Sequence, residues 1–288
     1  MLDALAHRFV SLVEVVPPAG ANAGPLLDQL EALAGLEIDA FSIASNPVAK
    51  PRMSALALGT LIMGRLDAAV VMHCTTRDHN RLGAWSKLCG AKALGIEVVL
   101  AATGDFVALG DRAAITTVRD LDVYDLVAMA RGVGLQVGVV FDPGEHVGGV
   151  ERQVDRLRRK VVAGAQFAVT QPTYDEAGAA RLAQGLSAVR VPAIMGVLPL
   201  RSPRHAAFLH DRVAGITVPE AVRHRIAEAH DPVLEGLQNA RHMIDVARRH
   251  FSGVCIMPAF DHYETVMHLL ERKGSSTGDP ATRTSGGA

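Results

Sequence analysis

Glu14 is the one carboxylate in an apolar run, Leu12-Val13-Glu14-Val15-Val16, which Pro17 and Pro18 close. A charge in such a run is either paired or driven toward its neutral form, because apolar surroundings disfavour an ionised carboxylate. Glu14 is therefore a candidate proton donor, set against the alternative that strand alternation points it into solvent. Asp105 follows the apolar run 98–102 and the pair Thr103-Gly104, so a glycine can set a carboxylate at the mouth of a strand. An aspartate serving only a turn or an N-cap is the alternative there. His73 ends a further apolar run, where a satisfied core histidine is the ordinary alternative to a catalyst, and Gln171 ends another, where a neutral amide that both donates and accepts suits the edge of a heteroaromatic ring. Lys160, beside Arg158 and Arg159, offers either a solvated basic face or a partner for a phosphate-bearing cofactor. With His146 these residues mix carboxylates, imidazoles and an amide at spacings that form no metal site, which points to recognition of an organic cofactor and its substrate.

Positioning such residues requires a scaffold that brings distant loops together. Short β-branched runs alternate with longer amphipathic stretches, the pattern of repeated strand-helix units. The pattern predicts strands at 10–16, 40–43, 68–73, 97–101, 136–141, 167–170, 193–197 and 254–257, with helical segments such as 25–34, 81–94, 122–132 and 151–163 between them. Eight such units in about 250 residues match a closed α/β barrel of the (β/α)8 TIM type; an open doubly wound sheet is the competing architecture. The segments just after the strands, at 17–18, 45–47, 74–77, 103–105, 142–146 and 171–175, carry the polar and special residues. In a barrel all of them lie on the C-terminal face and converge on one site.

Composition excludes several classes. Lys and Arg total 29 against 30 for Asp and Glu, so no electrostatic argument favours nucleic acid or an anionic membrane as partner. Apolar runs are far shorter than a membrane span, and charges at Asp3 and Arg8 argue against a secretory leader. Cys74, Cys89 and Cys255 form no Cys-x-x-Cys pair, which fits a reducing cytoplasm. Gly132, Gly134 and Gly138 lie between a helix and the following strand, the reverse of the order a dinucleotide loop needs. Residues 1–272 are expected to form one barrel domain, and 273–288 a disordered tail with too little apolar surface to offset ordering.

Several of these segments, taken in order, resemble the flavin-dependent methylenetetrahydrofolate reductases over about residues 9–270. Val13-Glu14-Val15-Val16-Pro17-Pro18 is similar to the family's opening, Met72-His73-Cys74-Thr75 to its histidine segment, and Thr103-Gly104-Asp105 to its Arg-Gly-Asp turn. The stretch from Lys160 through Ala163-Gly164-Ala165 to Thr170-Gln171 is the most specific match. The resemblance implies an FAD-binding oxidoreductase that interconverts 5,10-methylenetetrahydrofolate and 5-methyltetrahydrofolate. It implies Glu14 as general acid, Asp105 beside flavin and folate to tune the flavin and stabilise a cationic iminium, and Gln171 on the pterin. Ser42, His73, Thr103, Gly104, Asp105, His146, Arg159 and Lys160 would contact FAD. A folate is the implied substrate, with NAD(P)H or an electron-transfer protein as redox partner and a homo-oligomer as assembly. Thr103 replaces the family's arginine, and Pro203 its seventh-loop aromatic. Segments 46–54 and 76–81 look closer to a divergent branch of corrinoid-linked one-carbon pathways. Another pterin carrier, or a non-catalytic folate- or flavin-binding subunit, are the alternative functions.

Overall fold

Strand alternation of period two sorts the core into two layers. Val10 and Leu12 in β1 (Val10–Val15), Val71 in β3 (Val70–Thr75), Leu100 in β4 (Val98–Ala102) and Ile194 in β7 (Ala193–Val197) pack into one cluster inside the sheet. Their neighbours Val13, Val15, Met72, Val99 and Val197 join a larger cluster beneath the surrounding helices. Completed by β2 (Ala40–Ile43), β5 (Gln136–Phe141), β6 (Phe167–Pro172) and β8 (Gly253–Ile256), the strands close in sequence order into a parallel barrel. The computed structural model describes residues 1–107, 111, 114–142, 149–213 and 215–270.

Closure is explicit in the pairing of β1 with β8, where Leu12 lies against Cys255. This excludes the open sheet. All eight expected runs are strands, with ends displaced by at most two residues. The expected tail at 273–288 and His146 lie outside the described residues.

Between the strands run α2 (Gly24–Glu31), α3 (Ala55–Leu66), α4 (Arg81–Ala93), α5 (Val123–Gly132), α6 (Gly149–Val162) and α7 (Glu176–Ser187). After β7 come α8 (Pro203–Arg212), α9 (Glu220–Glu228) and α10 (Pro232–His250); α1 (Leu2–His7) precedes the barrel and α11 (Glu264–Met267) follows β8. Polar residues of the connecting loops double as caps. Asn80 accepts from Gly83 N at 2.8 Å, Asp175 from Gly178 N at 2.7 Å and Ser202 from His205 N at 3.1 Å, each satisfying an orphan amide of a helix start.

The barrel interior is filled by side chains. A Cβ at Gly138 would sit 2.2 Å from the Phe167 ring, so the missing side chain on β5 makes room for the large one on β6. Leu5 of α1 is buried in the same inner cluster. Polar residues then appear where the strands reach the C-terminal face.

Candidate active site

Inward parity carries on from Val10 and Leu12 to Glu14, which stands at the mouth beside its β2 register partner Ser42. The solvent-facing alternative for Glu14 does not hold. Glu14 is half-buried, and burial, then the negative charge of Asp105, pushes its carboxyl up to about 7. At neutral pH it can hold or release a proton. Ser42 is buried and shares a 2.8 Å hydrogen bond with Nε2 of His73 on β3. Burial, with the charge of Lys87, lowers His73 to about 4, so its imidazole is neutral at neutral pH. Cys255 lies behind this group, its thiol raised by burial and by the Glu14 charge. The loop after β8 is fastened to the loop after β1 by Val16 N, which donates to the Tyr263 hydroxyl at 3.2 Å.

Asp105 is placed by three loops. Its carboxylate accepts from Val48 N at 2.5 Å, and its carbonyl accepts from Nη1 of Arg77 at 3.1 Å. Arg77 is 7% exposed and also donates to the Asn46 carbonyl at 3.1 Å and through Nε to Asp78 at 2.6 Å. Thr75 Oγ1 and Asn46 Nδ2 complete the Asp78 carboxylate at 2.8 and 3.1 Å. Burial alone would raise the Asp78 carboxyl, but hydrogen bonds from Arg77, Thr75 and Asn46 outweigh it and hold it below its ordinary value. Gly104 turns at φ +85°, and a Cβ there would meet the Arg77 side chain at 3.1 Å. The guanidinium thus joins the loops after β2, β3 and β4 into one body.

Across the mouth, Lys160 of α6 donates to the Val140 carbonyl at 2.7 Å. Burial and neighbouring Arg156 lower its ammonium to about 8, against the opposing charge of Asp142. Gln171 is half-buried at a register shift between β6 and β7, where Thr170 Oγ1 accepts from Gly196 N at 3.1 Å and donates to the Gln171 carbonyl at 2.9 Å. Irregularities of this kind commonly re-aim a side chain beside a site. A Cβ at Gly215 would lie 2.7 Å from Asp142 Oδ2 and 3.1 Å from Gln171 Nε2, so Asp142 and Gln171 flank one point.

The structure therefore gathers Glu14, Ser42, His73, Thr103, Gly104 and Asp105 on one side of the mouth, and Lys160 with Gln171 on the other. It does not bring Arg159 to them: its guanidinium lies 4.2 Å over the Tyr124 ring, where α5 meets α6 on the outer layer. Arg156, one turn before Lys160, is near enough for its charge to lower the Lys160 ammonium, a spacing visible in the sequence, and it also lines the outer hollow with Tyr124 and Arg159. Arg77 and Asp142 had no signal beyond their place in post-strand loops. Among the described residues no group of three or more His, Cys, Asp and Glu could hold a metal ion, and no helix is long and apolar enough to cross a membrane.

A flavin nucleotide suits this donor set. The Lys160 ammonium with the Arg156 charge beside it complements a diphosphate, and the buried Ser42-His73 pair offers neutral hydrogen-bonding groups at the barrel mouth.

Residues 2–254 match the family model described as methylenetetrahydrofolate reductase. No curated protein matches the chain. Among solved structures, an uncharacterized protein from Clostridium thermocellum that binds two copies of 5-methyl-5,6,7,8-tetrahydrofolic acid superposes with a TM-score of 0.67 at 13% identity, covering 93% of this chain and 98% of that one. A 2,3-dimethylmalate lyase of the PEP mutase/isocitrate lyase superfamily gives a TM-score of 0.54 at 13% identity, covering 92% and 79%. An oxaloacetate acetylhydrolase gives 0.55 at 8% identity, covering 92% and 81%. At such identities these likenesses concern the fold.

Proposed function

The chain belongs to the methylenetetrahydrofolate reductase family, and from that premise we propose that it interconverts 5,10-methylenetetrahydrofolate and 5-methyltetrahydrofolate with bound FAD. The observation that carries the reading is Glu14, a mouth carboxyl raised to about 7 next to the charge of Asp105. Its family supports the flavin chemistry, and the Clostridium thermocellum neighbour supports a methylated folate as ligand.

FAD, held by Lys160, Arg156, Ser42, His73 and the Thr103-Gly104 turn, would exchange a hydride with the substrate's one-carbon unit. The protein's own share is protonic and electrostatic. Protonated Glu14 donates to the folate nitrogen that leaves when the methylene bridge opens, and the same carboxylate takes the proton back in the reverse direction. Asp105, held by Val48 N and by the Arg77 scaffold, stabilises the cationic iminium that bridge opening produces. Gln171 holds the pterin edge through its amide, and His73, neutral at working pH, adds no positive charge to oppose that cation. NAD(P)H or an electron-transfer protein would restore the flavin in a cytoplasmic enzyme.

Purified protein reconstituted with FAD should retain the flavin, and anaerobic 5-methyltetrahydrofolate should bleach its absorbance. Protein that neither holds flavin nor is reduced by the methylfolate would falsify the reading.

A further inference from the structure

We propose that Phe260 is a substrate-selecting residue, which stacks on the aryl ring attached to the reacting nitrogen of a folate and so discriminates against pterins that lack that ring. The inference rests on the folate reading above. Phe260 follows β8 on the C-terminal face of the barrel and is 68% exposed. A single exposed phenylalanine is ordinary, but this one is held out by its backbone. Phe260 and Asp261 both occupy the left-handed region, with φ of 54° and 60°, a conformation unfavourable for residues with a Cβ. Local bonds fix it there: His262 N donates to the Ala259 carbonyl at 3.2 Å and Tyr263 N to the Asp261 carbonyl at 3.0 Å. The Tyr263 hydroxyl, bonded by Val16 N, anchors the same loop to β1.

The ring is also supported from beneath. Its centroid lies 4.9 Å from that of His205 at 54°, an aromatic pair geometry, and His205 is only 7% exposed. One side of the phenyl is therefore seated and the rest is open at the rim. Such a rigid, propped ring loses little freedom when a second flat group covers it.

Substrate chemistry says which group arrives there. The nitrogen that Glu14 protonates is bonded directly to the folate's aryl ring, so that ring must lie close to Glu14 at the rim. β8 pairs with β1, and Tyr263, three residues beyond Phe260, is near enough to feel the Glu14 charge. Gln171 holds the pterin from β6, which leaves the β8 side of the mouth for the aryl arm.

Two ligands separate this role from a general effect on the fold: 5-methyltetrahydrofolate, and a 5-methyltetrahydropterin whose aryl-glutamate arm is replaced by a methyl group. Binding is measured anaerobically by calorimetry on protein whose FAD has first been reduced with dithionite, so that the methylated ligands bind without transferring a hydride. Wild type is expected to prefer the complete folate. Phe260→Ala should weaken the folate by about tenfold, the scale of one lost aromatic contact with its burial, and leave the truncated pterin unchanged. Phe260→Trp should retain wild-type affinity for both. Equal losses on the two ligands, an alanine variant that binds folate like wild type, or a wild type without preference would each overturn the inference. Wild type that binds no methyltetrahydrofolate overturns the folate reading itself, before any variant is compared.

Discussion

Glu14 carries the strongest consequences of any single residue. Its neutral amide counterpart keeps the shape and loses the proton, so Glu14→Gln should retain FAD while folate turnover falls by roughly 100-fold or more, the usual scale for a lost general acid. Retained turnover in stopped-flow reduction by methyltetrahydrofolate would remove the assigned role. The same group makes a pH-dependent prediction about stability. Its carboxyl titrates near 4.5 when unperturbed and near 7 in the folded protein. Between those values the native state keeps a proton that the unfolded chain has lost. Stability from this group therefore falls as pH rises across the window, and above it the folded protein bears the cost of a half-buried carboxylate. Glu14→Gln should melt close to wild type at pH 4 and a few degrees above it at pH 8, because the amide removes this one proton linkage. Thermal unfolding followed by circular dichroism checks this, and a gap independent of pH would contradict it. The sequence exposed Glu14 through one chemical anomaly, a charge in an apolar run. Which face it took was a question of strand parity relative to a closed barrel.

Loops become a site when an element ties them together, and Arg77 is that element's centre. Its fork reaches Asp78 and the carbonyls of Asn46 and Asp105, contacts that a single ammonium cannot reproduce. Removing the guanidinium leaves a mostly buried carboxylate and two carbonyls short of a donor. Arg77→Met should cost about 3 kcal/mol in urea unfolding, the order found when one partner of a buried ion pair is deleted. Arg77→Lys should recover only part of that loss. If both variants unfold at the wild-type midpoint, the three loops are held by something else. In the sequence, Thr76-Arg77-Asp78 is an ordinary polar segment after a strand; its weight comes from partners 31 and 28 residues away. Val48 shows the same limit from the backbone side. A β-branched residue at φ 48° is strained, and its N–H meets the Asp105 carboxylate, neither of which a propensity argument anticipates.

At the scale of the whole molecule, barrel closure couples residue sizes on neighbouring strands. Gly138 and Phe167 are register partners, and the ring occupies the volume that a side chain on Gly138 would need. Gly138→Ala should destabilise by about 2 kcal/mol through overpacking. Combined with Phe167→Leu, it should cost less than the sum of the two single changes, since the smaller side chain makes room. Strict additivity in a urea double-mutant cycle would mean that the two do not share the barrel interior. The amino-acid order alone specifies the set of parts: eight alternating apolar runs, the polar loops after them, and Glu14, Asp105 and Gln171 at strand ends. Those features are local, because a period of two and a misplaced charge are written within a few consecutive residues. It took the folded chain to show that β1 meets β8, that Arg77 braces Asp105, that the Arg159 guanidinium lies over Tyr124, and that Phe260 stands propped at the rim. Each of those depends on distances between segments far apart in the chain, which closure of the barrel sets and no local pattern encodes.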